Sequence, residues 1–326
     1  MYAPPEDKLE VKQRLLREMI RIRTVEETIA DLYPQGEMRT PTHFSIGQEA
    51  VAVGVCAALS GDDVVYSGHR CHAHYLAKGG DLAGMVAELF GRETGCARGR
   101  GGSVHLNDRE AGFIAASAIL GQTIATAVGS ALAFKMDGIS RVAVTFFGDG
   151  TVEEGIFHEC LNFAVVKRLP VLFVCENNGY STHTSLGVRQ PASVPIHARA
   201  ASYGMPSERV DGNDVFAVFR AAREAVAGLR RGEGPSFLEC ITYRWREHVG
   251  PLWDYDKGYR TKAEVDEWIA RCPIKRAIER LVAEGLCSMD EVARVERGYQ
   301  DEVNRAVVAA KAAPFPTVDD LTVGTY

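Results

Sequence analysis

A carboxylate and a carboxamide stand at the ends of two predicted strands in the middle of the chain. Asp149 lies in a Gly-Asp-Gly turn after one apolar run, and Asn177-Asn178 follow the next, with 26 residues between Gly150 and Asn177. Because ligands of an open parallel sheet bind outside the carboxyl ends of its strands, both groups are expected at one edge. Their hard oxygen atoms suit Mg²⁺ holding a diphosphate, whose charge the N-terminus of the following helix favours.

The same residues also fit an ordinary turn, in which Asp149 caps a helix and Asn178 forms an Asx turn. For Gly-Asp-Gly alone this simpler interpretation would be preferred. The matched position of two polar groups at two strand ends favours the cofactor site, because chance must otherwise supply both features.

The elements that position these groups form a βαβ unit. Residues 141–147 are a continuous apolar, β-branched run typical of a buried parallel strand, residues 151–168 have helical character with acids first and bases last, and residues 171–177 supply a second strand. A helix over 215–231 and a strand over 237–243 continue the pattern. The sequence therefore predicts an α/β fold with a doubly wound, mostly parallel sheet.

Helical patterns flank this core. Apolar residues at helical spacing predict a long helix from Asp7 to Tyr33, a small-residue helix is expected near 121–135, and residues 261–312 look helical. We expect a single domain over 1–326, with an N-terminal helix and lead-in at about 8–40, the α/β core at about 41–250, and a C-terminal loop and helices at about 251–326.

Composition restricts the class of protein. The 326 residues carry a net charge of −6 and are 46% hydrophobic, which excludes a disordered tail and a basic nucleic-acid binder. The eight cysteines contain no C-x-x-C pair and favour reduced, buried thiols. With no signal-peptide pattern and no apolar run of about 20 residues, we expect a cytoplasmic protein without membrane or nucleic-acid partners.

Two other interpretations of local motifs are weaker. The histidines of residues 69–74 suggest a transition-metal site, but Arg70 places a fixed positive charge among them and their spacing matches no usual zinc pattern. A dinucleotide-binding loop at residues 99–102 would need a preceding strand, and none is evident. The glycines there are instead expected where backbone approaches a cofactor or a neighbouring subunit.

At this point the sequence resembles a known family: the alpha subunit of the thiamine-diphosphate-dependent decarboxylating component of 2-oxo acid dehydrogenase complexes, of the pyruvate, acetoin and branched-chain types. The Gly-Asp-Gly to Asn-Asn spacing is similar to the thiamine-diphosphate motif. Further matching segments run in family order between about residues 8 and 310, at residues 43–50, 68–72, 97–105, 148–150, 176–180 and 243–248.

The resemblance implies roles for particular residues. The implied ligands of Mg²⁺ are Asp149, Asn178 and the backbone carbonyl of Tyr180, and the implied catalytic residues are His43 and His248. The implied thiamine-diphosphate contacts are His69, Arg70, Leu120, Gly148, Asp149, Gly150, Thr151, Asn178, Arg244 and His248.

The resemblance also implies partners. In the two-chain family the glutamate that activates thiamine diphosphate comes from the beta subunit, in a heterotetramer of two alpha and two beta subunits. No acid at a motif position of this chain is left for that role, so we expect no turnover by the chain alone. The implied reaction decarboxylates a pyruvate-like 2-oxo acid, or cleaves acetoin, and passes the product to a lipoyl group, for which a lipoyl acyltransferase is an implied partner.

Several residues depart from the family pattern. Pro41 stands where pyruvate enzymes carry an aromatic residue, His69 replaces a tyrosine, and Val249 replaces a regulatory serine, so phosphorylation there is not expected. These departures keep a second enzyme open, a carboligase that transfers the two-carbon unit to a carbonyl or carrier acceptor. A catalytically inactive scaffold subunit is a further alternative, which the intact motif residues disfavour.

Overall fold

The computed structural model describes residues 8–322. The predicted first turn of the N-terminal helix, at Asp7, and the end of the C-terminal extension lie outside these residues. The helices are α1 Leu9–Leu32, α2 Glu49–Ala57, α3 His72–Ala77, α4 Leu82–Leu89, α5 Gln122–Met136, α6 Gly155–Lys167, α7 Leu186–Arg189, α8 Ile196–Ala201, α9 Val215–Arg230, α10 Lys262–Ala270, α11 Pro273–Ala283 and α12 Met289–Ala312. The strands are β1 Val64–Ser67, β2 Phe113–Ala116, β3 Ala143–Gly148, β4 Val171–Asn177, β5 Tyr180–Ser181, β6 Thr184–Ser185, β7 Ser207–Asp211 and β8 Ser236–Ile241.

Six strands form one parallel sheet in the order β2-β1-β3-β4-β8-β7, and β5 and β6 form a small antiparallel pair. The central strands β3 and β4 are almost wholly buried, as their continuous apolar sequences require. Each face of the sheet carries its own apolar layer: Val144 and Phe146 of β3 pack into one, and Ala143 and Phe147 into the other. The predicted doubly wound α/β fold is confirmed.

The order of the strands places the site. Connections from β1 lead outward to β2, whereas those from β3 lead the other way to β4 and β8. The direction of winding therefore reverses between β1 and β3, and the crevice at such a switch point is where doubly wound sheets bind ligands. Gly148 of β3 pairs with Glu176 of β4, so the residues just beyond both strands lie at the same level.

The helical extensions pack on one face of the sheet. α1 and α12 contact each other, α12 also contacts α4, and apolar residues of α1, α2, α9, α11 and α12 contribute to one core cluster. The capping predicted at Thr261 is present, since its side chain accepts a hydrogen bond from the amide of Glu264. Among the helices of residues 8–322, none is both long and apolar enough to cross a membrane.

Candidate active site at the carboxyl edge of the sheet

A cavity of about 270 Å³ opens between the ends of β1, β3 and β4. It contains every residue that the sequence predicts for the site except one. The predicted residues on its wall are His43, His69, Arg70, Leu120, Gly148, Asp149, Gly150, Thr151, Asn178, Tyr180 and His248. The topology thus gathers in one place groups that are up to about 200 positions apart in the chain.

Asp149 is buried and opens a short 3-10 turn, Asp149–Glu153, which precedes α6. Its Oδ2 accepts from the guanidinium of Arg189, which also pairs with Glu153, whereas its buried Oδ1 has no hydrogen-bond partner among residues 8–322. Burial raises the pKa of Asp149, and Arg189 opposes that rise. A buried carboxylate oxygen without a hydrogen-bond partner is unfavourable unless a ligand binds to it.

Asn178 and Asn177 contribute differently. Asn177 Nδ2 donates to Glu239 Oε1 at 2.7 Å and ties β4 to β8, whereas Asn178 lies on the cavity wall. Asn178 Oδ1 accepts from the amide of Tyr180 at 3.1 Å, and its Nδ2 donates to Gln48 Oε1 at 3.1 Å. The side-chain oxygen of Asn178 therefore keeps one lone pair for a further partner.

Arg70 supplies a positive charge to the cavity. Its Nη1 donates to the carbonyl of Phe44, and its Nη2 lies 3.5 Å from both Nδ1 and the carbonyl oxygen of His248. No carboxylate pairs with it in the described part of the chain, although the side chain is buried. Burial lowers the pKa of Arg70, but a guanidinium remains charged at neutral pH, so the cavity holds a cation that is suited to an anionic ligand.

Three histidines form the other end of the cavity. The ring centroid of His43 lies 4.5 Å from that of His69 and 4.9 Å from that of His248. Burial, followed by the charge of Arg70, lowers the pKa of all three rings, to about 4 for His69 and about 2 for His248. They are therefore neutral near pH 7, and each ring can donate a hydrogen bond from its N–H and accept one at its other nitrogen.

These depressed pKa values predict acid sensitivity. The ordinary pKa of His69 is 6.5, whereas its pKa in the folded chain is about 4. Between these two pH values the unfolded chain binds a proton at His69 and the folded chain does not. The free energy of unfolding should consequently decrease as pH decreases from 6.5 towards 4. Thermal unfolding followed by circular dichroism across this range should give a shallower decline for His69→Gln than for the native chain or for His158→Gln, a histidine outside the cavity. An unchanged slope in His69→Gln would contradict the prediction.

Arg244 is the predicted residue that the structure does not bring into the cavity. Its Nη1 donates to the carbonyl of Arg246 and to Asp254 at 3.1 Å, and its Nη2 donates to the carbonyl of Thr182 and the hydroxyl of Tyr259. The guanidinium is almost fully buried, and its Nη donors are used to hold the loop after β8. Its Nε has no hydrogen-bond partner among the described residues, and the predicted contact of Arg244 with a diphosphate stays a prediction.

The histidines of residues 69–74 do not come together to form a metal site. His72 lies between Glu26 and Ser103, whereas His74 contacts Ser67 and stacks on Phe146 with ring centroids 3.9 Å apart. His69 instead joins His43 and His248. The structure therefore gives no support to the zinc interpretation of this segment.

The cavity also includes residues that sequence reasoning did not assign. Gln48, Ser67, His74, Glu176, Ser181 and Thr182 line it, and Arg189 reaches Asp149 from α7. Gln48 and Glu176 lie inside segments that match the family pattern, which could have drawn attention to them. Arg189 has no local signal, because its contact with Asp149 spans 40 positions.

A doubly wound sheet with a polar cavity at its switch point is typical of α/β proteins that bind a ligand or cofactor there. The comparisons with known proteins are more specific. The family model described as "Dehydrogenase E1 component" matches residues 17–319. The chain therefore belongs to the dehydrogenase E1 component family.

Its relatives identify the subunit type. The alpha subunit of acetoin:2,6-dichlorophenolindophenol oxidoreductase from Bacillus subtilis (strain 168) is 40% identical over 314 residues, covering 96% of this chain and 92% of the relative. The alpha subunits of the pyruvate dehydrogenase E1 components from Porphyra purpurea and Rhizobium meliloti (strain 1021) are 38% and 39% identical, covering 94% of this chain and 90% and 87% of theirs. The predicted resemblance is confirmed: the chain is an alpha subunit in a family of thiamine-diphosphate-dependent oxidoreductases.

Proposed function

We propose that the chain uses this cavity to hold thiamine diphosphate through Mg²⁺, and that it decarboxylates a pyruvate-like 2-oxo acid or cleaves acetoin. One observation carries the proposal: among residues 8–322 a buried carboxylate oxygen has no hydrogen-bond partner and a buried guanidinium has no ion-pair partner, and both share one cavity with three histidines. A metal-bound diphosphate matches this set, because it brings a cation for oxygen ligands and an anion for Arg70.

The ligand set fits the metal. Asp149 Oδ1, Asn178 Oδ1 and the carbonyl of Tyr180 are hard oxygen donors, and Mg²⁺ commonly takes few protein ligands together with phosphate oxygens. Arg70, with the backbone of Gly150 and Thr151, would hold the diphosphate, and Gly148, His69 and Leu120 would contact the rest of the cofactor. The occupied Nη donors of Arg244 support a role in shaping the loop over the cavity rather than in holding phosphate.

The chemistry of the bound cofactor is that of an electron sink for cleavage of a carbon–carbon bond next to a carbonyl. The residues of this chain bind, orient and move protons around it. His43 and His248 can donate hydrogen bonds to developing negative charge on a substrate oxygen, and that charge would raise their lowered pKa towards the range in which protons are exchanged. Burial, together with the positive charge of Arg70, lowers the pKa of His248 and keeps its ring neutral.

A partner subunit is part of the proposal. The acidic residues on the cavity wall are Asp149, assigned to the metal, and Glu176, which lies 3.2 Å from His74 Nε2. The activating glutamate is therefore proposed to come from a beta-type chain, in a heterotetramer of two alpha and two beta subunits. An exposed apolar residue beside the cavity supports an additional covering chain: Ile119, between the cavity-lining Ala118 and Leu120, is 66% exposed.

This proposal predicts dependence on the partner. The chain alone should not reduce 2,6-dichlorophenolindophenol with pyruvate or acetoin, because it lacks the activating acid. The complex co-expressed with a beta-type chain should do so when Mg²⁺ and thiamine diphosphate are added. Turnover by the purified single chain would contradict the proposed division of the site.

The acceptor is tested in the same complex. We propose transfer to a lipoyl group, with a lipoyl acyltransferase as the associated partner, so acylation of a purified lipoyl domain should accompany consumption of the donor. Efficient formation of carbon–carbon bonds with added aldehydes, without lipoyl acylation, would instead identify a carboligase. Testing 2-oxo acids of increasing size beside acetoin identifies the donor.

A further inference from the structure

The carboxamide of Asn178 can serve a metal in only one of its two orientations. An amide side chain has one oxygen and one nitrogen, and only the oxygen is a ligand for Mg²⁺. Rotation by 180° about the last side-chain bond exchanges the two atoms with little change in shape. If the site is formed before the metal binds, a hydrogen bond from a neighbouring group must therefore favour the orientation of Asn178 in which Oδ1 faces the metal.

Gln48 is that neighbour. Its Oε1 accepts from Asn178 Nδ2 at 3.1 Å, and with the Gln48 amide in this orientation a flipped Asn178 would bring two amide oxygens together. Both side chains are buried, at 1% and 7% exposure, so water cannot readily compensate for such a contact. The amide of Tyr180 donates to Oδ1 on the other side and favours the same orientation.

The backbone that carries Gln48 is held firmly. The buried carboxylate of Glu49 accepts from Arg23 Nε at 2.6 Å and from the amide of Gly47 at 3.0 Å. Gly47 has a φ of +98°, and a Cβ there would meet the ring of Trp245 at 2.5 Å, so this turn fits only with glycine. The Gly-Gln-Glu segment is thus a rigid support at the start of α2.

We propose that Gln48 is a positioning residue, which acts through Asn178 by fixing its amide so that Oδ1 faces the metal. The inference rests on the proposed metal site. It gives a role to each residue of the Gly-Gln-Glu segment. Gly47 permits the turn, Glu49 stabilises it through hydrogen bonds, and Gln48 fixes the orientation of the Asn178 amide.

A double-mutant cycle tests this role. Aspartate has two equivalent oxygens and needs no orientation, so Asn178→Asp should remove the requirement for Gln48. Binding of Mn²⁺ in the presence of thiamine diphosphate can be followed by electron paramagnetic resonance on the full chain assembled with its partner. Gln48→Met should weaken Mn²⁺ binding by about 10- to 100-fold in the native background, the range for residues that orient metal ligands.

In the Asn178→Asp background the same change should alter Mn²⁺ affinity by less than about threefold, since the coupling between the two sites is lost. Gln48→Glu keeps an acceptor oxygen and should retain binding in the native background. An equal loss in both backgrounds would overturn the proposal in favour of direct contact or general damage, and no loss in the native background would overturn it outright. If Gln48→Met does not assemble, Gln48→Asn, too short to reach Asn178, takes its place.

Asn178→Ala separates this inference from the metal site itself. Undiminished Mn²⁺ binding in Asn178→Ala would show that the proposed metal site is wrong. Lost binding in Asn178→Ala together with unchanged binding in Gln48→Met would leave the metal site standing and remove only the role of Gln48.

Discussion

Replacement of Asp149 by alanine should weaken Mg²⁺ binding by more than about 100-fold and eliminate turnover, because loss of a ligand must exceed the 10- to 100-fold cost of losing a residue that only supports one. Asp149 supplies the single buried carboxylate oxygen at the junction of β3 and α6 that has no partner in residues 8–322. Isothermal titration of the assembled complex with Mg²⁺ at saturating thiamine diphosphate measures the affinity, and dye reduction measures the activity.

Asp149→Asn serves as the milder variant. It retains one oxygen but removes the charge that pairs with Arg189, so intermediate metal affinity is expected. Asp137→Ala, at the exposed end of α5, is the matched control and should leave binding unchanged. Native-like Mg²⁺ affinity in Asp149→Ala would exclude this residue as a ligand.

Replacement of His43 by glutamine should lower kcat by about 10²- to 10⁴-fold, the usual contribution of a positioned proton donor or acceptor. His43 is buried between His69 and His248, and its Nδ1 has no hydrogen-bond partner in the described chain. Glutamine keeps a polar side chain but cannot exchange protons near neutral pH. Because His43 touches neither Asp149 nor Asn178, the affinity for Mg²⁺ and thiamine diphosphate should remain within a few-fold of native.

The separation of kcat from cofactor affinity distinguishes a catalytic role from a structural one. His158→Gln, in α6 and outside the cavity, provides the control, since His158 contacts Tyr203 instead. A His43→Gln enzyme with normal kcat, or one whose only defect is weak cofactor binding, would assign the proton transfers elsewhere.

The central βαβ unit was predictable because its signals are local. The strands β3 and β4 are nearly continuous apolar runs, and Asp149 and Asn178 follow them directly, so chain order alone places both at one edge. Even here the start of the helix differs: residues 149–153 form a 3-10 turn and α6 begins at Gly155. This turn allows Asp149 to lie at the cavity instead of being a simple helix cap.

The edge strands lacked such a signal. β7 has the sequence Ser-Glu-Arg-Val-Asp, in which only Val210 is buried, and β2 is four residues long beside a loop. Short strands at a sheet edge need little apolar sequence, because one side of the strand meets solvent or loops. Their existence is decided by pairing with β8 and β1, which is information from distant parts of the chain.

The glycine cluster at residues 99–102 binds a carboxylate of its own chain, a contact that its sequence did not predict. The amides of Gly99, Gly101 and Gly102 all donate to the buried carboxylate of Glu88 at 2.7–2.9 Å. A loop whose N–H groups already enclose a carboxylate of the same chain has none left for a phosphate. These glycines therefore hold the loop against Glu88 of α4. The dinucleotide-binding interpretation of the loop has no support.

The contact of Arg189 with Asp149 gives the site mixed charge before any ligand arrives. A divalent cation alone meets the positive charges of Arg189 and Arg70, and a diphosphate alone meets the negative charges of Asp149 and Glu176. Each ligand would offset the repulsion that the other encounters, so we expect their binding to be positively coupled. By thermodynamic reciprocity, the factor by which the metal tightens the diphosphate equals the factor by which the diphosphate tightens the metal.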